Sequence, residues 1–240
     1  PTLWMAGDSI MQSYAPGDKP VTGWGEMLHT LAHGDAVCQT AHRADCPFPQ
    51  EMRYELPGLV IDNCAMAGRS SKTFREEGRL DDIAAHIRPG DLLVVSFGHN
   101  DANRAKAERY VPADAFGESL RPFWDAARSH GAVCIFVSPV AMREFDEAGV
   151  CHPSFAAYRE AMRAFAAEVG APFIDLGAAT AAANTAFGAE RCKARYMWVG
   201  AKQDNAHQQN AGACRTAQAF VQQLLQDTTP ALDVLRANFK

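Results

Sequence analysis

Ser9 is a candidate nucleophile because it directly follows a short apolar run. Residues 3–6 are typical of a buried strand, and Gly7 permits a sharp turn that would present the Ser9 hydroxyl at the strand end. A serine hydroxyl is a weak nucleophile unless a base removes its proton. Reaction at Ser9 therefore requires an imidazole, a carboxylate that orients it, and hydrogen-bond donors for an oxyanion elsewhere in the chain.

Asp204 and His207 lie three residues apart, just before the last predicted helix. This spacing lets both side chains project from one turn, where a carboxylate can hold the imidazole Nδ1–H and leave Nε2 facing a serine. The same pattern would also suit a helix cap. The signature G-x-S-x-G is absent from the sequence, so the chain lacks the usual nucleophile elbow.

Two further residues could stabilise an oxyanion. Asn100 can donate through its side-chain amide, and Gly68, which has no side chain, lets its backbone come close to a ligand. Removing one such donor typically costs on the order of 3 kcal/mol of transition-state stabilisation. We expect Asp8 and Asp101, which adjoin Ser9 and Asn100, to be structural acceptors that brace the two turns.

Arg69, His99 and Trp198 are candidate substrate contacts. Arg69 could bind a substrate carboxylate, as on an acidic sugar, or could pair with Asp8, Asp101 or a backbone carbonyl. His99 is predicted to be a structural residue or a wall of the pocket, and Trp198 either lines the pocket or belongs to the core. No Walker pattern surrounds residues 69–71, so we do not expect phosphate binding there.

Predicted strands alternate with helices, which favours an α/β fold whose parallel, five-stranded sheet has helices on both faces. Residues 91–97 are the clearest strand, since a continuous aliphatic and β-branched run indicates burial on both faces. The other predicted strands are residues 59–62, 132–137 and 172–175. If the strand order is 2-1-3-4-5, Ser9 and Asn100 are neighbours across a crevice at the switch point, with Gly68 alongside.

Residues 34–57 are the least regular stretch, with three prolines and two cysteines. We predict that they form a long insertion loop over one edge of a single domain spanning residues 1–240. Loops of this length are often functional or mobile.

Composition excludes several classes of function. The chain has 240 residues, a net charge of −5 and no basic stripe, so nucleic acid is not an expected partner. No segment approaches the roughly 20 apolar residues of a membrane helix. The seven cysteines match no zinc-binding spacing, and no metal is expected. We expect free thiols in a cytoplasmic, reducing compartment, with a Cys38–Cys46 bridge and a mature secreted chain as open alternatives.

Four blocks, taken together, resemble those of the GDSL or SGNH hydrolases. Residues 7–10 (GDSI) resemble the first block, with Ile10 in place of the usual leucine. Gly68 lies in a turn that resembles the second. Residues 98–101 (GHND) resemble the third block, and residues 204–207 (DNAH) resemble the fourth.

Further blocks narrow the resemblance to the rhamnogalacturonan acetylesterase branch. They keep their order and span most of the chain, whereas residues 34–57 match nothing in that branch. The blocks are residues 23–26 (GWGE), 67–71 (AGRSS), 74–79 (FREEGR), 98–101 (GHND), 195–198 (RYMW) and 210–213 (NAGA).

The resemblance implies a three-layer α/β/α flavodoxin-like fold and removal of acetyl groups from plant cell-wall carbohydrates, of the rhamnogalacturonan or xylan type. It implies Ser9 as nucleophile, His207 as general base and then acid, and Asp204 as the orienting carboxylate. Gly68, Asn100 and the Ser9 backbone N–H would bind the oxyanion. The expected cycle forms an acetyl-enzyme on Ser9 that water releases, without a metal or an organic cofactor.

Other functions remain open on the sequence alone. A lipid or thioester hydrolase of the same superfamily would need a long apolar channel, whereas the polar, arginine-containing turns favour a sugar. A sugar-binding relative without activity would lack a triad or oxyanion residue, and none is missing. An acetyltransferase would pass the acetyl group to a sugar rather than to water.

Overall fold

A seven-stranded sheet forms the core of the computed structural model, which describes residues 1–32 and 38–239. The strands in chain order are β1 (Thr2–Gly7), β2 (Gln39–Ala41), β3 (Met52–Leu56), β4 (Leu59–Asn63), β5 (Leu92–Ser96), β6 (Val133–Val137) and β7 (Phe173–Ile174). They lie in the order β2-β3-β4-β1-β5-β6-β7. The five strands from β4 to β7 in that order are mutually parallel, and β2 and β3 are antiparallel additions at one edge.

The order of the parallel strands confirms the predicted arrangement. The predicted strands correspond to β1, β4, β5, β6 and β7, and they pair in the order 2-1-3-4-5. β1 therefore lies at the centre of the sheet, hydrogen-bonded to β4 on one side and to β5 on the other. The end of β1, which carries Ser9, lies at the switch point where ligands bind in such sheets.

The sheet has seven strands rather than the predicted five, because β2 and β3 form within residues 34–57. β3 pairs with β4 through the two-residue connection Pro57-Gly58, a common tight-turn sequence. Along β3 the buried Tyr54 alternates with the partly exposed Arg53 and the exposed Glu55, as in an antiparallel strand with one covered face. The predicted loop is therefore wrong at β2 and β3, and its residues 34–37 lie outside the described residues.

Helices cover both faces of the sheet and confirm the three-layer α/β/α architecture. Side chains alternate along β1, so that Leu3 and Met5 enter one apolar core while Trp4 and Ala6 enter the other. The helices are α1 (Trp24–Met27), α2 (Ser71–Glu76), α3 (Arg79–His86), α4 (Ala113–Ser129), α5 (Ala156–Val169), α6 (Leu176–Phe187), α7 (Ala189–Cys192), α8 (Asn210–Gln226) and α9 (Asp233–Arg236). Helices α1, α6, α8 and α9 contribute to the first core, and helices α2 to α5 contribute to the second.

One predicted helix differs from the observed structure, and a second is interrupted at a glycine. The helix expected from residue 23 to about residue 33 consists of α1 and a 3₁₀ turn at Leu28–Leu31, and His33 lies outside the described residues. The helical region predicted over residues 72–87, for which the sequence left a break at Gly78 open, is divided into α2 and α3 at that glycine.

A separate two-stranded sheet carries the polar stretch before the last long helix. It pairs β8 (Tyr196–Val199) with β9 (Lys202–Gln208) in antiparallel orientation. Sequence analysis predicts no strand here, because every residue of β9 except Ala206 is polar. This β8–β9 hairpin contains both Asp204 and His207.

The carboxyl ends of the parallel strands form the edge at which the candidate residues gather. Ser9 follows β1, Gly68 follows β4, and Asn100 follows β5. The turn after β5 requires glycine at position 98, where φ is 140° and a Cβ would lie 2.4 Å from Cγ of Pro139.

Within the described ranges, no helix has both the length and the apolar character needed to cross a membrane. All seven cysteines lie in those ranges and carry free thiols, so Cys38 and Cys46 are not bridged.

Candidate active site

Ser9, His207 and Asp204 form a hydrogen-bonded row at the carboxyl end of β1. Nε2 of His207 lies 2.9 Å from Oγ of Ser9, and Nδ1 of His207 lies 2.8 Å from Oδ2 of Asp204. The serine comes from the turn after β1, and the other two side chains come from β9. In this geometry the imidazole can accept the serine proton on one nitrogen while the carboxylate holds the other.

The turn after β1 is fixed by the acceptors of Asp8, as predicted for that residue. The Asp8 carbonyl accepts hydrogen bonds from the backbone N–H groups of Met11 and Gln12, both at 3.1 Å. Oδ1 of Asp8 accepts a hydrogen bond of 2.9 Å from the backbone N–H of Ile10. The hydroxyl of Tyr14 donates to the Ser9 carbonyl at 2.8 Å. These bonds fix the backbone conformation of the turn that carries Ser9.

The Asp204 carboxylate uses its two oxygens for different partners. Oδ1 accepts from the backbone N–H groups of Ala206 and His207, at 2.9 and 3.0 Å, which leaves Oδ2 for the imidazole. Partial burial opposes ionisation, but the hydrogen bonds from His207 and Ala206 keep the pKa of Asp204 below its ordinary value. Asp204 is therefore ionised at neutral pH and fixes the ring of His207.

Arg143 holds the β8–β9 hairpin against the rest of the fold, and Trp198 braces the hairpin from within. The backbone N–H of Arg143 donates to the Asn205 carbonyl at 2.7 Å, and its guanidinium donates to the Ala189 carbonyl at 2.8 Å. The Trp198 indole donates to Oδ1 of Asn205 at 2.8 Å, and the Arg143 guanidinium lies 4.7 Å from the centre of its ring. Trp198 thus supports the residue between Asp204 and His207, and contact with substrate stays a prediction for it.

Gly68 and Asn100 come together beside this row. Nδ2 of Asn100 donates to the Arg69 carbonyl at 3.0 Å, which leaves its second N–H for a ligand. Gly68 has φ of 78°, and its backbone N–H makes no hydrogen bond within the described part of the chain. The same is true of the Ser9 N–H among the described residues. Three unpaired donors are therefore available, and their role as an oxyanion hole is a proposal.

Asp101 braces the Asn100 turn, as predicted. One carboxylate oxygen accepts from the backbone N–H and the hydroxyl of Ser71, at 2.9 and 2.6 Å. The other accepts from the Gly98 N–H at 3.0 Å. Burial raises the pKa of Asp101 to about 6, against the lowering effect of these hydrogen bonds. The carboxylate thus ties the start of α2 to the turn after β5.

Arg69 pairs with Glu77 rather than with Asp8 or Asp101. Its guanidinium lies 2.8 Å from the Glu77 carboxylate and donates to the Ala67 carbonyl at 2.9 Å. The backbone-carbonyl alternative is therefore observed, and binding of a substrate carboxylate stays a prediction.

His99 is mostly buried, with 12% of its side chain exposed. Its ring packs edge-on against Phe155 with the ring centres 4.8 Å apart. Phe155 has φ of 55°, an uncommon conformation for a residue other than glycine. This packing agrees with the prediction of a structural or wall residue.

The Asp8 carboxyl is buried next to His99 without a charged partner. Its Oδ2 makes no hydrogen bond among the described residues and lies 3.8 Å from Nδ1 of His99. Burial raises the pKa of Asp8 to about 7, despite the hydrogen bond from the Ile10 N–H. Burial and the neighbouring His207 lower the pKa of His99 to about 4. Both groups are therefore neutral in weakly acidic solution.

Asp8→Asn is expected to raise the melting temperature more at pH 8 than at pH 5. The folded protein keeps a proton on Asp8 up to a pH of about 7, whereas an unfolded aspartate releases it near pH 4. The free energy of unfolding of the wild type therefore falls as the pH rises through this window, and asparagine has no proton to lose. Thermal unfolding of both proteins at the two pH values measures the difference. Asp125→Asn, at an exposed site on α4, is the control, and equal shifts for Asp8→Asn at both pH values would contradict the expectation.

Sequence reasoning missed Arg109 and Arg143, which lie in polar loops without a periodic pattern.

The described residues include no group of three or more histidine, cysteine, aspartate or glutamate side chains that could hold a metal ion.

The chain matches the sequence model of the GDSL-like Lipase/Acylhydrolase family over residues 5–213, and it belongs to this family. The resemblance read from the sequence blocks is thereby confirmed. The protein is a carboxylic ester hydrolase.

Two curated relatives are similar over most of their length. The chain is 32% identical to rhamnogalacturonan acetylesterase RhgT of Bacillus subtilis (strain 168) over 242 residues, covering 97% of this chain and 93% of that protein. It is 33% identical to the probable rhamnogalacturonan acetylesterase YesY of the same organism over 214 residues, covering 88% of this chain and 86% of that protein.

Solved structures share the fold. The crystal structure of protein YxiM from Bacillus subtilis matches with a TM-score of 0.76 and 26% identity, covering 96% of this chain and 57% of that one. Axe2, an acetylxylan esterase from Geobacillus stearothermophilus, matches with a TM-score of 0.60 and 19% identity, covering 92% of each chain. The second likeness concerns the fold alone.

Proposed function

We propose that the protein removes O-acetyl groups from plant cell-wall oligo- or polysaccharides, with rhamnogalacturonan as the substrate class. The observation that carries the proposal is the row from Ser9 through His207 to Asp204, next to unpaired N–H donors. The names of the two curated relatives support the substrate class, since both cover most of this chain.

In the proposed first half-reaction, Nε2 of His207 takes the Ser9 proton while Oγ attacks the acetyl carbonyl carbon. The carbonyl oxygen becomes an oxyanion, which accepts hydrogen bonds from the N–H groups of Ser9 and Gly68 and from Nδ2 of Asn100. The C–O bond to the sugar then breaks, and His207 returns the proton to the sugar oxygen. Acetyl-Ser9 and a free sugar hydroxyl result.

In the second half-reaction His207 takes a proton from water, whose oxygen attacks the acetyl-Ser9 carbonyl. The same donors bind the second oxyanion, and its collapse releases acetate as His207 reprotonates Oγ of Ser9. Through both steps Asp204 stabilises the imidazolium and keeps its proton on Nδ1.

The polar surroundings of Ser9 favour a sugar over a long acyl chain. Arg69 and Asn100 lie on the turns that follow β4 and β5, at the same edge of the sheet as Ser9, and both are partly exposed to solvent. A lipid chain would gain free energy by burial against apolar side chains, whereas hydroxyl and carboxylate groups of a sugar pair with donors such as these.

Acetate release from three kinds of substrate tests the proposal. The panel consists of acetylated rhamnogalacturonan oligosaccharides, acetylated xylo-oligosaccharides and a nitrophenyl ester series from acetate to octanoate. We expect kcat/KM to be at least about tenfold higher on the rhamnogalacturonan oligosaccharides than on xylo-oligosaccharides, and to fall with acyl length. Preference for octanoate would favour a lipid hydrolase, and activity on none of the substrates would reject the esterase.

A further inference from the structure

Gly68 and Asn100, which carry two of the three candidate oxyanion donors, are both hydrogen-bonded to the Arg109 guanidinium. Nη1 of Arg109 donates to Oδ1 of Asn100 at 2.8 Å and to the Gly68 carbonyl at 3.1 Å. Arg109 lies in the loop between β5 and α4, and 20% of its side chain is exposed. One guanidinium nitrogen therefore connects the turn after β4 with the turn after β5.

Arg109 fixes which end of the Asn100 amide faces the site. A guanidinium can only donate hydrogen bonds, so the group that faces Nη1 has to be the amide oxygen. Nδ2 then points towards the Arg69 carbonyl, to which it donates one hydrogen at 3.0 Å, and its second hydrogen stays free. A rotated amide would place its oxygen against the Arg69 carbonyl and its nitrogen against a cation. Both contacts would be unfavourable.

Arg109 also fixes the peptide that follows Gly68. Glycine has access to many backbone conformations, and Gly68 adopts φ of 78°. The carbonyl of this peptide accepts from Arg109, and its N–H, on Arg69, donates to the Met66 carbonyl at 3.3 Å. The Gly68 N–H belongs to the preceding peptide, whose Ala67 carbonyl accepts from the Arg69 guanidinium at 2.9 Å. Arg109 therefore holds one of the two peptides that flank Gly68.

The charge of Arg109 is only weakly neutralised. The carboxylate near it is that of Glu108, 3.9 Å from Nε and 68% exposed, and Nε itself is buried without a hydrogen-bond partner among the described residues. A cation bonded to Oδ1 polarises the amide and strengthens Nδ2 as a donor. The added donor strength of Nδ2 has its largest effect when negative charge develops on the ligand oxygen. The interaction therefore stabilises the transition state more than the bound ground state, and this difference lowers the activation barrier.

We propose that Arg109 is a positioning residue for the oxyanion donors, acting mainly through the Asn100 amide, and to a lesser extent through the Gly68 carbonyl, without touching the substrate. The proposal rests on the proposed ester hydrolysis at Ser9. It predicts a loss in kcat with little change in KM, since the contacts of Arg109 bear on the transition state.

The test uses nitrophenyl acetate, which has no carboxylate that an arginine could bind. Arg109→Met is expected to lower kcat by about 10- to 100-fold, while KM changes by less than about threefold. Arg109→Lys keeps the charge with a different donor geometry, and we expect it to recover part of the loss. The control is Arg104→Met, an exposed arginine of the same loop whose guanidinium lies 5.9 Å from the centre of the Tyr110 ring. It should keep the wild-type kcat.

A double-mutant cycle with Asn100→Ala separates positioning from an independent role. If Arg109 acts largely through Asn100, the double variant loses no more than about threefold beyond Asn100→Ala alone. Losses that multiply would overturn the proposal, as would an Arg109→Met enzyme with unchanged kcat.

A trifluoromethyl ketone provides a second readout, because its adduct with Ser9 carries an oxyanion. Its Ki should rise in Arg109→Met by the same factor as kcat/KM falls. Melting temperatures detect a loss of folding, and an Arg109→Met variant that loses activity only in proportion to its unfolded fraction would reject the positioning role. An inactive wild type would instead reject the esterase itself, so the two failures are distinguishable.

Discussion

Replacing Ser9 with alanine is expected to lower kcat/KM for nitrophenyl acetate and for acetylated oligosaccharides by at least about 10³-fold. The hydroxyl is the group that His207 faces at 2.9 Å, and without it no acetyl-enzyme can form. The residual rate would come from the oxyanion donors and the bound substrate. The measurement is the initial rate of acetate release, together with mass spectrometry of the protein during turnover.

The loss should be chemical rather than structural. The hydrogen bond to Nε2 is the only one that the Ser9 hydroxyl makes among the described residues, so the melting temperature should change little. Ser129→Ala, at an exposed site at the end of α4, is the matched control and should keep full activity. A Ser9→Ala enzyme that retains the wild-type rate, or that still forms an acetyl-enzyme during turnover, would show that the nucleophile lies elsewhere.

Asp204→Asn is expected to lower kcat by about 10³- to 10⁴-fold with little change in fold. Two backbone N–H groups occupy the Oδ1 position of Asp204, so the asparagine oxygen has to take that place. Its NH₂ group then faces Nδ1 of His207, which must accept a hydrogen bond. The ring proton moves to Nε2, and the imidazole can no longer accept the proton of Ser9.

Nitrogen-15 shifts of the His207 ring report this exchange of tautomers directly, and steady-state rates report its effect. The chain offers a matched control in the surface pair Asp146 and His152, whose side chains are 2.8 Å apart and 41% and 66% exposed. Asp146→Asn makes the same chemical change on an aspartate–histidine pair and should leave kcat unaltered. If Asp204→Asn keeps the wild-type rate or the wild-type tautomer, orientation by Asp204 is not needed.

The parallel sheet could be predicted because its strands are buried on both faces. β5 is a continuous apolar run apart from Ser96, and such a run has few interpretations in a chain where strands alternate with helices. The gathering of the candidate site residues at one edge of the sheet could be predicted, because Ser9, Gly68, Asn100 and His207 lie in short blocks that follow strand ends or precede a helix.

The features that were missed depend on pairing rather than on local pattern. β3 lies next to the edge strand β2 and has charged residues on its exposed face, and β9 is almost wholly polar, so neither has the apolar periodicity that identifies a strand. Arg109 carries no signal of its own in a polar loop, because its importance arises from two carbonyl oxygens that the fold brings within reach.

The nucleophile and its base are far apart in the sequence, so activation of Ser9 depends on long-range contacts of the folded chain. The hydrogen bond between Ser9 and His207 joins positions 198 residues apart. His207 reaches Ser9 only when the β8–β9 hairpin and α8 have docked on α1. In that contact the ring centres of Trp24 on α1 and Phe220 on α8 are 5.1 Å apart. Contacts of such sequence separation are costly to close. In a chain whose α8 has not docked, Ser9 has no base and remains an unactivated alcohol, so the serine becomes reactive only once this long-range contact has formed.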